Sequence, residues 1–383
     1  MKTIQDLISI SQYYGKDSRF VIAGGGNTSY KNAEKLWVKA SGSSLASITE
    51  DGFAVLDRKK LNVLSEKNYS DNTAEREEQV KNDLAVACIT QGKRPSVETS
   101  MHNVIDYAFV VHLHPTLVNG LMCSQNAEND LKKLFGEKMV YIPYTDPGYV
   151  LFKKVEDAIK NHRVKFNREP SIIWLQNHGI FVAANSIDEI KTHYETILAV
   201  LEKSILQPLP AGKCEAYTCI EEVLPALQMM LSCEGLKTLH IRKNELVKFF
   251  YNNEKEQANI VRPFTPDAIV YCKSNYIFIN KTEPEKILAE AERAIPAFRE
   301  KFGYLPKVLL IKAIGLVAVD DNAKQCDVVL DVFEDAMKVA YYAKSFGGAH
   351  PMTQKQIDFI DNWEVENYRR SVAADTLAGR SES

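Results

Sequence analysis

Apolar and polar positions along the N-terminal half of this chain repeat with spacings that switch between helical and extended. Ile4 to Tyr13 reads as an amphipathic helical start. Val21-Ile22-Ala23 and Leu36-Trp37-Val38-Lys39-Ala40 read as strands on either side of a Gly-rich turn, and Phe53-Ala54-Val55-Leu56 as a third. Asn72 to Gln91 is helical in pattern, charged early and apolar at its end. Pro95 to Asp106 predicts a second helix, leading into the buried strand Tyr107-Ala108-Phe109-Val110-Val111. After Pro143-Tyr144-Thr145-Asp146-Pro147-Gly148, a helix is predicted from Tyr149 to His162. The clearest helix runs from Ser186 to Leu206. It opens on a capping box, Ser186-Ile187-Asp188-Glu189, and repeats apolar residues at Ile190, Tyr194, Ile197, Leu201 and Ile205. Pro208-Leu209-Pro210-Ala211-Gly212 then breaks the pattern and sets the expected domains at 1–207 and 213–383. The alternation of strand and helix signals places the chain in the α/β class.

A weak internal repeat joins the two parts. Ile172 to Ala183 has the hydropathy of Val308 to Val319, and each is followed by a polar break (Asn185-Ser186, Asp321-Asn322) and then a helix. The repeat keeps a glycine, Gly179 and Gly315, but puts Ile314 where His178 stands. The second part therefore reads as a degenerate copy of the first, retained for packing and without a metal site. Chance recurrence of a strand-Gly-strand-cap-helix pattern is the alternative.

Chemistry enters with His112-Leu113-His114-Pro115 at the end of the apolar strand. Residues i and i+2 of a strand project to one face, so the two imidazoles share a space. His178 closes a second strand-like segment, Ser171-Ile172-Ile173-Trp174-Leu175, before a glycine turn. Three imidazoles and one open position suit a catalytic divalent metal, most often zinc, with one such site expected per chain. Glu98, in Arg94-Pro95-Ser96-Val97-Glu98, precedes the His-x-His strand by a short helix. A carboxyl group there could exchange a proton with carbon or with bound water. Alone it would equally be a helix N-terminal acid favoured by the macrodipole.

Two further loops carry small residues, Gly24-Gly25-Gly26-Asn27-Thr28-Ser29 and Lys39-Ala40-Ser41-Gly42-Ser43-Ser44. Such runs expose backbone N–H groups and hydroxyls, a cradle for an anion. Neither is a dinucleotide fingerprint, because Ser29 stands at the third glycine, and neither is a Walker loop. Together with Ser96 they could converge on one anion; tight turns explain each loop singly.

Composition narrows the class. A net charge of -3 suggests neither nucleic acid nor an anionic membrane as partner. The apolar stretches are strand-sized, and the start Met1-Lys2-Thr3-Ile4-Gln5-Asp6 lacks a signal-peptide pattern. Seven scattered cysteines (Cys88, Cys123, Cys214, Cys219, Cys233, Cys272, Cys326) form no Cys-x-x-Cys pair, which fits free thiols in a reducing cytoplasm.

Gly26-Asn27-Thr28-Ser29, Ser41-Gly42, Pro95-Ser96-Val97-Glu98, His112-Leu113-His114 and Asn177-His178-Gly179 occur in the order of the class II aldolase/adducin family. Over roughly the first 205 residues the chain resembles that family's zinc-dependent aldolases for L-fuculose and L-rhamnulose 1-phosphate. The resemblance implies a class II aldolase-like fold in α/β/α layers, with a mainly β central sheet flanked by helices. It also implies Zn2+ on His112, His114 and His178, with Glu98 as general acid/base. Gly26, Asn27, Thr28, Ser41, Gly42 and Ser96 would hold the substrate phosphate, with Lys39 either a phosphate counter-charge or a solvated strand residue. Val97 departs from relatives that place a second serine there. Tyr144 would sit in a loop that reaches toward a neighbouring subunit's site, in a homo-oligomer acting on a small sugar phosphate. The related 4-epimerases carry Asp where Glu98 stands, which points to carbon–carbon cleavage. An epimerase or dehydratase, or a non-catalytic adducin-type module, are the alternatives. The later residues, including Thr265-Pro266-Asp267-Ala268 and Phe346-Gly347-Gly348-Ala349, resemble the aldolase portion of bifunctional rhamnulose-phosphate aldolase/dehydrogenase proteins. With the chain read to Ser383, no dehydrogenase domain and no dehydrogenase activity are expected.

Overall fold

The computed structural model describes residues 2–136, 139–212, 220–233 and 235–363. The described residues fall into two compact units, those within 1–122 and 126–204, and those within 123–125 and from 205 onward. The break at 208–212 lies just beyond Ser204, and residues 213–219, with Cys214 and Cys219, lie outside the described residues. The other five cysteines are free thiols.

The first unit opens with α1 (Lys2–Gly15), followed by β1 (Asn27–Lys31), β2 (Lys35–Lys39) and β3 (Phe53–Asp57). Helices α2 (Arg58–Glu66), α3 (Thr73–Ala87) and α4 (Thr99–Val104) come next. The chain then builds β4 (Phe109–Leu113), α5 (Thr116–Met122), α6 (Ala127–Phe135), β5 (Val140–Ile142) and α7 (Tyr149–Phe166). It closes with β6 (Ile172–Leu175), β7 (Gly179–Ala184) and α8 (Ile187–Ser204). The sheet order is β3-β2-β1-β4-β7-β6-β5, with antiparallel pairs except β5 and β6. One face packs Val110, Ile173, Phe181 and Ala183 with Met101 of α4 and Val155 of α7. On the other face the Tyr194 hydroxyl of α8 donates to the Val111 carbonyl, and the Tyr14 and Tyr194 rings touch at 4.9 Å.

The α/β reading and the helical segments at 73–87, 149–166 and 187–204 follow the hydrophobic pattern. One strand does not. Val21-Ile22-Ala23 is no strand: the chain turns there, with Ala23 and Gly26 left-handed at φ 54° and 78°. The strand is instead the polar Asn27-Thr28-Ser29-Tyr30-Lys31, next to β4 in the sheet. Three of its buried polar side chains, Thr28, Ser29 and Lys31, are satisfied by groups on helices. Thr28 Oγ1 shares a 2.7 Å bond with Ser11 Oγ, Ser29 Oγ one of 2.7 Å with His102 Nδ1, and Lys31 Nζ donates to the His102 carbonyl at 2.8 Å. Hydropathy cannot announce such a strand. At α8 the Ser186 hydroxyl accepts the Glu189 N–H as the capping box predicts, while Glu189 reaches the N–H of Asn185, one residue earlier.

The second unit contains α9 (Ile220–Leu231), β8 (Thr238–Arg242), α10 (Glu245–Asn252), α11 (Glu254–Ala258), α12 (Pro266–Cys272) and β9 (Ile277–Ile279). It continues with α13 (Pro284–Phe302), β10 (Val308–Ile311), β11 (Gly315–Asp320), α14 (Ala323–Ala343) and α15 (Gln354–Asn362). Its sheet, β8-β11-β10-β9, repeats the order and sense of β4-β7-β6-β5, including the single parallel pair. The hairpins close alike, Leu175 on Gly179 and Ile311 on Gly315. A Cβ at Gly179 would meet the Leu113 carbonyl oxygen at 2.5 Å, and one at Gly315 the Arg242 carbonyl oxygen at 2.7 Å. In each hairpin the glycine allows the neighbouring strand to end against the turn.

Candidate metal centre and catalytic site

β4 carries His112, fully buried, as its penultimate residue and delivers His114 just past the strand. His178 comes from the β6–β7 turn, where Asn177 is left-handed at φ 53°. That turn is tied down by the Asn177 N–H donating to the Met122 carbonyl at 3.2 Å. The Nε2 atoms of His112 and His114 lie 3.0 Å apart, and those of His112 and His178 3.3 Å. Tetrahedral zinc with Zn–N of about 2.0–2.1 Å separates its nitrogens by about 3.3 Å. The donor set fits a divalent ion. His112 is also oriented as a metal ligand would be. Its Nδ1–H donates to the Ile180 carbonyl at 3.0 Å, which leaves a lone pair on Nε2. Its ring stacks on Phe181 at 4.1 Å.

Glu98 is the N-cap residue of α4, with its side chain only 15% exposed. Its Oε1 lies 3.1 Å from His112 Nε2 and 3.3 Å from His178 Nε2. Burial alone would raise its pKa, but His112 and His178 beside it outweigh that and hold the carboxyl well below the usual range. Burial pushes His178 down to about 4, so its ring is neutral at pH 7, the form in which it could serve as a ligand. Three ring nitrogens converging beside a carboxylate are a donor set that suits a cation.

The loops are chained to this centre. Gly26 lies against the strand end, where a Cβ would meet the His112 carbonyl oxygen at 3.2 Å. Asn27 pairs with His112 across β1 and β4, and its Nδ2 donates to Glu98 Oε2 at 3.4 Å. Its Oδ1 is buried without a hydrogen-bond partner among the described residues. Ala40 bridges Pro95, and the Ser41 N–H donates to the Arg94 carbonyl at 3.0 Å, which sets Ser41 and Gly42 beside the Ser96 loop. Ser96 Oγ accepts the Glu98 N–H at 3.2 Å. Thr28 is the residue not brought in: alternation along β1 turns its hydroxyl to the opposite face, onto Ser11. Lys39 is 8% exposed and so is not a solvated strand residue. Tyr144 is held by its N–H donating to Gln176 Oε1 at 3.0 Å. Its hydroxyl is buried.

The family model for the Class II Aldolase and Adducin N-terminal domain matches residues 5–204. The chain belongs to this family. The Bacillus subtilis protein named Uncharacterized oxidoreductase YuxG is 23% identical over 420 aligned positions, covering 97% of this chain and 59% of YuxG. The chain thus spans less than two thirds of that relative. The L-fuculose phosphate aldolase of Methanocaldococcus jannaschii is 25% identical over 173 residues, covering 43% of this chain and 75% of that protein. Among solved structures, the N-terminal class II aldolase domain of a conserved Thermoplasma acidophilum protein matches with a TM-score of 0.45 and 25% identity, over 52% of this chain and 92% of that one.

Within this class II aldolase and adducin domain, two residues that the sequence pattern does not single out, His102 and Phe181, stand directly behind the centre. The Glu98-x-x-x-His102 spacing, one helical turn, is the signal that could have found the first of them. Among the described residues, no helix is long and apolar enough to cross a membrane.

Proposed function

We propose that this chain is a metal-dependent aldolase that reversibly cleaves a ketose 1-phosphate, of the L-fuculose or L-rhamnulose type, to dihydroxyacetone phosphate and an aldehyde. The observation that carries the reading is Glu98 Oε1 lying within 3.3 Å of two of three converging imidazoles. A divalent cation, zinc in this reading, would be held by His112, His114 and His178 and would supply Lewis-acid stabilisation of the charge left as the C3–C4 bond breaks. Glu98 would give a proton to the carbon that becomes C3 of dihydroxyacetone phosphate, and remove the same proton in synthesis. Gly26, Asn27, Ser41, Gly42 and Ser96 would hold the phosphate. The Asn27 amide, now donating to Glu98, has to turn outward or share its second N–H. Tyr144 is the candidate for the aldehyde end. The same reading carries a homo-oligomer acting in the cytoplasm on a small-molecule substrate, with neither nucleic acid nor membrane as partner.

The test is zinc-loaded protein assayed against a panel of ketose 1-phosphates, with dihydroxyacetone phosphate detected. Glu98→Gln is expected to keep its metal and lose proton exchange at C3 of dihydroxyacetone phosphate by about 10²–10⁴-fold. Exchange at the parent rate would remove Glu98 from the role. Cleavage absent from every substrate, with epimer or dehydration product appearing instead, would move the chain to an epimerase or dehydratase. Silence in all three assays would favour the adducin-type binding module.

We also propose that the second unit is a degenerate copy without a metal site. Counting from the hairpin glycines, Ile241 occupies the register of His112, Lys243 that of His114 and Ile314 that of His178. None of the three replacements is a ligand for zinc at neutral pH in the way an imidazole is.

A further inference from the structure

Glu98 stands at the histidine cluster because the short helix behind it is fastened to β1 in one register. α4 has six residues, and Thr99 to Asn103 are buried. Along the face of β1 that carries Asn27, alternate residues contact this helix or its cap. Asn27 meets Glu98 Oε2 at 3.4 Å, Ser29 meets His102 Nδ1 at 2.7 Å, and Lys31 Nζ donates to the His102 carbonyl at 2.8 Å. The spacings agree: two strand residues advance about 6.8 Å and four helical residues about 6 Å. A one-residue slip would turn Ser29 to the other face and break the match.

His102 is an unusual residue for a purely packing role. It is fully buried, and burial brings its pKa down to about 3, so the ring is neutral. Its Nε2 has no hydrogen-bond partner among the described residues. A leucine would fill the space without a stranded polar atom, so the histidine calls for another explanation. Its ring also meets Phe181 edge-on at 5.4 Å, the same Phe181 on which His112 stacks.

We propose that His102 is a positioning residue: clamped by Ser29, it fixes α4 on β1 and thereby sets the Glu98 carboxyl 3.1 Å from His112 Nε2. The inference rests on the reading of Glu98 as the acid/base. Misplacing a reacting group by 1 Å can cost on the order of 10²-fold in rate.

Three variants test it. His102→Asn keeps a hydrogen-bonding atom near the place of Nδ1, while His102→Leu and Ser29→Ala remove one side of the clamp. Proton exchange at C3 of dihydroxyacetone phosphate should fall about tenfold to a hundredfold in kcat for His102→Leu and Ser29→Ala. KM and metal content should be unchanged, and His102→Asn should recover most of the rate. Parent-like kcat in both disrupting variants overturns the proposal. So does a loss of metal and melting temperature in step with activity, because the ring would then only hold the fold together. Should His102→Leu fail to fold, Ser29→Ala decides alone. If the metal-loaded parent exchanges no proton, the functional reading fails, and crystal structures of the same variants judge the clamp. Displacement of the Glu98 carboxyl from His112 in the Leu and Ala variants but not in Asn supports it; an unmoved carboxyl overturns it.

Discussion

A methyl group at position 179 would sit 2.5 Å from both the Leu113 carbonyl oxygen and His114 Cδ2. The carbonyl belongs to a central strand and cannot retreat, so His114 has to give. Gly179→Ala is therefore expected to cost about 1–3 kcal/mol of stability and to lower metal occupancy together. Elemental analysis and thermal melting check this, and an alanine variant with full metal and the parent melting temperature would refute it. Lys31 makes a separate prediction. Burial, with Arg58 nearby, brings its ammonium down from the ordinary 10.5 to about 7. Between those values the unfolded chain holds a proton that the folded chain has released, so stability rises with pH across that window. Below pH 7 both states are charged and the effect is constant. The slope is at most about 1.4 kcal/mol per pH unit, and Lys31→Met should remove it in urea titrations at pH 7, 8.5 and 10. Equal slopes in parent and variant would sink the idea. The His112 and His114 pair is legible in the sequence because strand alternation acts over two residues, and His178 because it stands in a motif, Asn177-His178-Gly179, at the end of an apolar run. Ser29 on His102 cannot be read that way, since it depends on how a helix settles on a strand 71 or more residues distant in the chain.

The hairpins explain why elements are easier to foresee than the sheet that holds them. β6 and β10 are continuous apolar runs bounded by a glycine turn, and both form where the pattern places them. β1 escapes the pattern because its core position depends on hydrogen-bond partners from α1 and α4, which hydropathy does not record. The second hairpin also gives a matched control. Gly315 has φ 117°, and its Cβ would meet the Arg242 carbonyl oxygen at 2.7 Å. Gly315→Ala should thus destabilise the second unit at least as much as Gly179→Ala does the first, through strain as well as crowding. It should leave metal content unchanged, because Ile241, Lys243 and Ile314 hold the corresponding places. Loss of metal in Gly315→Ala would contradict the assignment of the centre to β4 and the β6–β7 turn.

At the scale of the whole chain, two units with matching β-sheet order but unequal chemistry predict an asymmetric response to metal. Only the first unit presents three converging imidazoles among the described residues, so zinc titration should end at one ion per chain. A ligand that binds the folded form alone stabilises it by RT ln(1 + [L]/Kd), about 2.7 kcal/mol at a hundredfold excess over Kd. That gain should be local, because the candidate ligands sit on β4, just past its end, and in the β6–β7 turn. Hydrogen exchange followed by peptide should therefore slow on adding zinc across 109–114 and 172–184. Peptides covering 238–243 and 308–320, which have the same strand order without the histidines, should exchange as before. Protection appearing equally in both sets, or a titration ending near two ions, would mean that the second hairpin binds metal despite Ile314.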